Sequence, residues 1–97
     1  MSVKVAFITG SAKRIGATTA SYLHNAGFNI VLHCHHSTEA AHALLSTLNA
    51  RRENSASLVV ADLCAIEGLE SLAEQVVNAF GRIDVLVNNA SSFYPTP

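Results

Sequence analysis

Charge is sparse in this chain. Charged side chains make up 13% of its 97 residues and sum to −1 with histidine neutral. No global field therefore draws it to nucleic acid or to an anionic membrane, and any electropositive site must be local. Cysteine is scarce as well. Cys34 and Cys64 are the only two, too few for a disulfide framework, and each reads as a small buried residue at a strand end. No apolar run reaches the length of a membrane span. The opening Met1-Ser2-Val3-Lys4 lacks the basic, apolar and cleavage regions of a signal peptide, so the cytoplasm is the expected compartment. Linkers, low-complexity tracts and internal repeats are missing too. Apolar residues fill 49% of the chain, which sets it apart from disordered sequences.

What is present is an alternation of run-type strands and helix-type stripes. Val3 to Ile8, Asn29 to His33, Ala56 to Ala61 and Ile83 to Val87 read as strands. Between them a helix is expected from Gly16 to Ala26, with Thr19, Tyr22, Leu23 and Ala26 at helical spacing and Gly27 as its stop. A second helix is capped by Ser37, has Glu39 in its first turn and carries Ala41, Leu44, Leu45 and Leu48 on one face. Arg51 and Arg52 suit its end. The third stripe is Leu69, Leu72, Ala73, Val76, Val77 and Phe80, ended by Gly81.

Apolar strands alternating with amphipathic helices predict an α/β fold, a Rossmann-type doubly wound parallel sheet covered on both faces. Right-handed crossovers favour the strand order 3-2-1-4, which reverses between strands 1 and 4. Ligands bind at such a reversal, so the turn after strand 1 and the segment from Asn88 should face one crevice. Strand 4 would end as an uncovered apolar edge, a liability for an independent domain. Residues 1–97 are therefore expected to be the N-terminal, dinucleotide-binding part of a single domain that continues beyond them.

The first strand runs into Thr9-Gly10-Ser11-Ala12-Lys13-Arg14-Ile15-Gly16. Gly10 permits a tight exit from the strand, and Gly16 lets the next helix approach closely with its N-terminal amides toward an anion. Lys13 and Arg14 are unfavourable against the positive end of a helix dipole unless a polyanion neutralises them. A tight turn with no ligand would need the same glycines. Its place at the start of a β-α alternation favours a phosphorylated dinucleotide.

At the end of strand 2 the sequence is His33-Cys34-His35-His36-Ser37, with no acid before Glu39. Enzymes that prefer NAD place an acid there for the ribose hydroxyls. Imidazoles and a hydroxyl can instead donate to a 2′-phosphate, so NADP is favoured. A zinc site is disfavoured, because contiguous residues in an extended segment do not converge and no partner cluster exists. Solvated loop residues remain the plain alternative. His24 and His42 read as helix surface positions. Asp62 either accepts from an adenine amino group or caps the next turn.

Together Thr9-Gly10 through Gly16, Asp62 and Asn88-Asn89-Ala90 resemble the short-chain dehydrogenase/reductases. More narrowly, Arg14, the His33 to Ser37 segment and Ser91-Ser92-Phe93-Tyr94-Pro95-Thr96-Pro97 look like pteridine reductases, most short-chain reductases having glycine at the position of Ser91. The resemblance implies NADPH-dependent reduction of oxidised pterins and of folates. By it, the turn residues Gly10, Ser11, Lys13, Arg14, Ile15 and Gly16 contact cofactor. So do His33, His35, His36, Ser37, Asp62, Leu63, Asn89, Ala90 and Ser91. Arg14, Ser91 and Phe93 meet substrate as well. It also implies a homo-oligomer, a tetramer, with neither nucleic acid nor membrane as partner and no metal. His36 stands where these reductases often have arginine. Their Tyr-x-x-x-Lys proton donor does not occur within residues 1–97, where Tyr22 has Ala26 four residues on and Tyr94 lies three residues from Pro97, so no catalytic residue is expected in the segment. Another short-chain carbonyl reductase and a non-catalytic NADP-sensing module are the competing readings.

Overall fold

The first apolar run forms β1 (Val5–Thr9), buried along its whole length. The computed structural model describes residues 3–11, 14–62 and 69–88, with the side chains of Leu69 and Glu70 outside that description. The remaining elements are α1 (Arg14–Asn25), β2 (Asn29–Cys34), α2 (Thr38–Arg51), β3 (Ala56–Val60), α3 (Leu69–Phe80) and β4 (Val85–Asn88). All pairings are parallel, and the strand order is β3-β2-β1-β4, as the alternation required.

The period of two along each strand divides the core into two layers. Ala6, Ile8, Ile30, Leu32 and Ala56 face one side, where Ala20 of α1 and Leu48 of α2 close over them. Val5, Phe7, Val31 and Val59 face the other, where Leu72 and Val76 of α3 cover them. Burial on both faces explains why β1 and β2 read as continuous apolar runs. Beside α3, Phe7, Leu72, Ala73, Val76, Ile83 and Leu86 line an open apolar groove of about 210 Å³. Among the described residues β4 ends the strand order, and its Leu86 is 64% exposed.

The helices depart from their expected faces in three places. In α1 the buried residues are Gly16, Ala20 and His24, whereas Tyr22 is 73% exposed and Ala26 after the helix also faces solvent. Small residues turn inward because the helix lies close to the sheet, leaving the tyrosine no room beneath it. His24 is not a surface residue. It is 1% exposed, and its Nε2 lies 2.6 Å from the Ser55 hydroxyl. A partner in the α2–β3 connection makes that burial tolerable. Burial, reinforced by Arg52 and Arg51, lowers its pKa from the ordinary 6.5. Arg52 also donates to the carbonyls of His24 and Phe28, tying α1's exit to α2. In α3, Ala73 and Val77 are exposed while Leu72 and Val76 are buried. Ser37 stands at the N-cap of α2, yet its side chain makes no capping bond; only its carbonyl accepts from the Ala41 N–H. His42 is exposed, as expected.

β4 begins two residues later than its apolar run. Asp84 is held instead as an anchor: its N–H donates to Val5 O, and its carboxylate accepts from Val5 N–H at 2.8 Å and from Arg82 at 2.6 Å. The bond to Arg82, then the Val5 amide, lower the carboxyl pKa. This clasp starts the β1–β4 register at Ala6 and Val85, which brings Thr9 opposite Asn88 at the other end.

Candidate functional site: the glycine turn and the strand ends

Four strands deliver their C-terminal ends to one edge of the sheet. At the reversal between β1 and β4, the Thr9 hydroxyl donates to Asn88 Oδ1 at 2.9 Å, joining the ends of these two neighbouring strands. Gly10 then leaves the strand at φ 60, in the left-handed region that favours glycine. Gly16 is buried against the same turn. A Cβ there would meet Gly10 O at 2.5 Å and Ser11 Cα at 2.7 Å, so only glycine lets α1 come this close. The expected roles of both glycines have a geometric basis here.

Arg14 opens α1 and is exposed, with no acid in the helix's first turn. Ile15 beside it is 74% exposed. The first amides of a helix have no intrahelical acceptor. The site therefore offers a positive helix end, a guanidinium and an open apolar side chain together, a set suited to a phosphorylated ligand with apolar parts.

Ser11 and His33 are placed differently from the other candidates. Ser11 is fully buried: its N–H donates to His33 O at 3.0 Å, and its hydroxyl donates to the same oxygen and accepts from His33 N–H. His33 is 3% exposed, with Nδ1 accepting from Gly10 N–H at 3.0 Å and Nε2 lying 2.8 Å from Ala61 O. Burial lowers its pKa, partly opposed by the Ala61 bond and reinforced by His35. Cys34 follows, free and buried, its thiol pKa raised by burial. Past it the chain emerges. His35 and His36 are exposed, their rings in contact with centroids 3.8 Å apart and planes tilted by 33°, and His35 Nε2 lies 3.9 Å from Asp62 Oδ2. Ser37 is half-buried beyond them. Asp62 thus stands at the end of β3 beside the histidines. Among the described residues no three His, Cys, Asp or Glu side chains gather into a metal-binding group. None of the described helices is long and apolar enough to cross a membrane.

Lys13, Leu63, Cys64, Asn89, Ala90, Ser91 and Phe93 lie outside the described residues. What sequence reasoning missed is the link between Thr9 and Asn88 and the inward-facing ring of His33. The available signal for the latter was a polar residue at the end of an otherwise apolar strand.

A parallel sheet in this order, with a glycine turn at its reversal, defines a Rossmann-type α/β protein. Residues 4–96 match the short chain dehydrogenase family, and the chain belongs to that family. It is 47% identical to "Pteridine reductase 1" of Leishmania tarentolae, over 96% of this chain and 38% of that protein. It is 33% identical to "Hydroxynaphthalene reductase arp2" of Aspergillus fumigatus, over 93% of this chain and 33% of that protein. Identity to "3-oxoacyl-[acyl-carrier-protein] reductase FabG" of Staphylococcus aureus is 32%, over 90% of this chain and 35% of that protein. The chain thus spans 33% to 38% of the length of these relatives.

Proposed function

We propose that this chain is the cofactor-binding part of an NADPH-dependent short-chain reductase acting on oxidised pterins and on folates. The observation that carries the cofactor assignment is the end of β2, where exposed His35 and His36 and half-buried Ser37 stand in place of an acid. A carboxylate there would repel a 2′-phosphate, whereas these side chains can donate to one. Arg14 and the amides of α1 would hold the diphosphate, with Lys13 adding a second cation. Asp62, with Leu63, would meet the adenosine end, and Ile15 would cover apolar parts of the cofactor. Ser11 and His33 would act from beneath, by holding the turn.

When bound, NADPH supplies the hydride. Asn89 and Ala90 would border the nicotinamide end, and Ser91, Phe93 and Arg14 would orient the pterin. The proton donor lies outside residues 1–97 on this reading, because the Tyr-x-x-x-Lys pattern does not occur among them. The 47% identity to a protein named pteridine reductase supports the substrate class, and a cytoplasmic homo-tetramer is the assembly this reading entails. The test is NADPH oxidation by the intact protein with a fully oxidised pterin, with folate and with a 3-oxoacyl thioester. Turnover with the pterin above that with the thioester is expected. A preference for the thioester, or no turnover with any of them, would overturn the substrate assignment.

A further inference from the structure

We propose that His33 is the positioning residue of the glycine turn, its imidazole fixed as the Nε2–H tautomer between Gly10 and Ala61. The proposal rests on reading that turn as the NADPH site, but the tautomer itself follows from the hydrogen bonds alone. The Gly10 backbone N–H can only donate, so the Nδ1 it reaches at 3.0 Å must present its lone pair. The Ala61 carbonyl can only accept, so the Nε2 it faces at 2.8 Å must carry the hydrogen. A neutral imidazole has one N–H, and these partners decide where it sits.

The ring is held from its other sides as well. Phe7 packs edge-on to it, with centroids 6.3 Å apart and planes at 87°. Ser11 grips the His33 backbone through three hydrogen bonds. One side chain on β2 therefore links the exit of β1, where the turn begins, to the exit of β3, immediately before Asp62. Gly10's N–H donates to the ring, and the chain turns out of the strand at the same residue through its positive φ. The height of the turn above the sheet is then set by a residue 23 positions later. His33 serves the phosphate end and the adenosine end of the crevice together without needing to touch either ligand group.

The chemistry singles out histidine. Asparagine places an oxygen where Nδ1 sits but does not reach Ala61. Glutamine reaches the Nε2 position but offers nothing to Gly10. The two variants should each lose one bond, with comparable losses of melting temperature. They should differ in binding: His33→Asn is expected to hold NADPH within about threefold of the parent, and His33→Gln to weaken it roughly tenfold, the equivalent of one hydrogen bond. Nitrogen NMR of the unmodified intact protein gives a measurement that needs no variant. Nδ1 unprotonated and Nε2 protonated, before and after NADPH is added, is the expected result. A protonated Nδ1, or equal weakening by Asn and Gln in step with their stability, would overturn the proposal. If the unmodified protein binds no NADPH, the functional reading falls, and the nitrogen signals still decide whether the ring holds Gly10.

Discussion

Replacing Gly16 with alanine should destabilise the protein although it improves the local helix propensity. The new Cβ would lie 2.5 Å from Gly10 O and 2.7 Å from Ser11 Cα, both backbone atoms, and cannot be relieved by rotating a side chain. The N-terminus of α1 must retreat by about 0.5 Å before the nearer contact reaches 3.0 Å. Such overpacking costs about 1–3 kcal/mol, and rigid backbone on the other side points to the upper part of that range. Alanine returns about 1 kcal/mol through helix propensity, so the net loss should be about 1–2 kcal/mol. That corresponds to a few degrees in melting temperature, about 2–8 °C for proteins of 150–250 residues and less for a longer one. The exposed Thr18 of the same helix is the control, since Thr18→Ala should gain about 0.5 kcal/mol from propensity alone. Thermal unfolding of the intact protein reads both. Gly16→Ala should also weaken NADPH binding, because the turn moves with the helix. An alanine variant as stable as Thr18→Ala, with unchanged NADPH affinity, would refute the close-approach argument.

Three further expectations follow from the same geometry. Gly10 sits at φ 60, so Gly10→Ala should cost about 1–2 kcal/mol and Gly10→Asn less, giving melting temperatures in the order Gly, Asn, Ala. Burial lowers the pKa of His24 and of His33 below 6.5, so on acidification the unfolded chain takes up protons before the folded one does. Stability should fall as pH drops below about 6.5 and be fully retained above it, and denaturant titrations at several pH values would contradict this if stability rose on acidification. Arginine in place of His36 supplies a permanent, fork-shaped donor, so His36→Arg should tighten NADPH about tenfold while leaving NADH nearly unchanged, measured by fluorescence titration.

Much of the fold was legible because β1 and β2 are buried on both faces, which makes them apolar throughout and leaves turn residues to separate the elements. Right-handed crossovers then allowed few strand orders, and the observed β3-β2-β1-β4 is among them. Element ends were less legible. Asp84 interrupts an apolar run as an anchor between strands, which its identity alone does not announce. The inward face of α1 was misread because Tyr22 and Ala26 share its helical spacing, while the inner positions went to Gly16, Ala20 and His24. Close packing on the sheet selected Gly16 and Ala20, and the Ser55 hydroxyl accommodates His24, constraints that hydrophobic periodicity does not encode. At the site, the two glycines could be read because each meets a steric demand of the backbone. His33 and Ser11 could be placed near the glycine turn but not beneath it, since their hydrogen bonds join the turn to β2 and only the register brings them together.

The claim that this edge of the sheet binds NADPH is tested most directly by titrating the intact protein with NADPH and with NADH while following backbone amide signals. The account predicts tighter binding of NADPH, with the largest changes at Gly10, Arg14, Ile15 and Gly16 and accompanying changes at His35 and His36. Tighter binding of NADH, or changes that bypass the glycine turn, would contradict it.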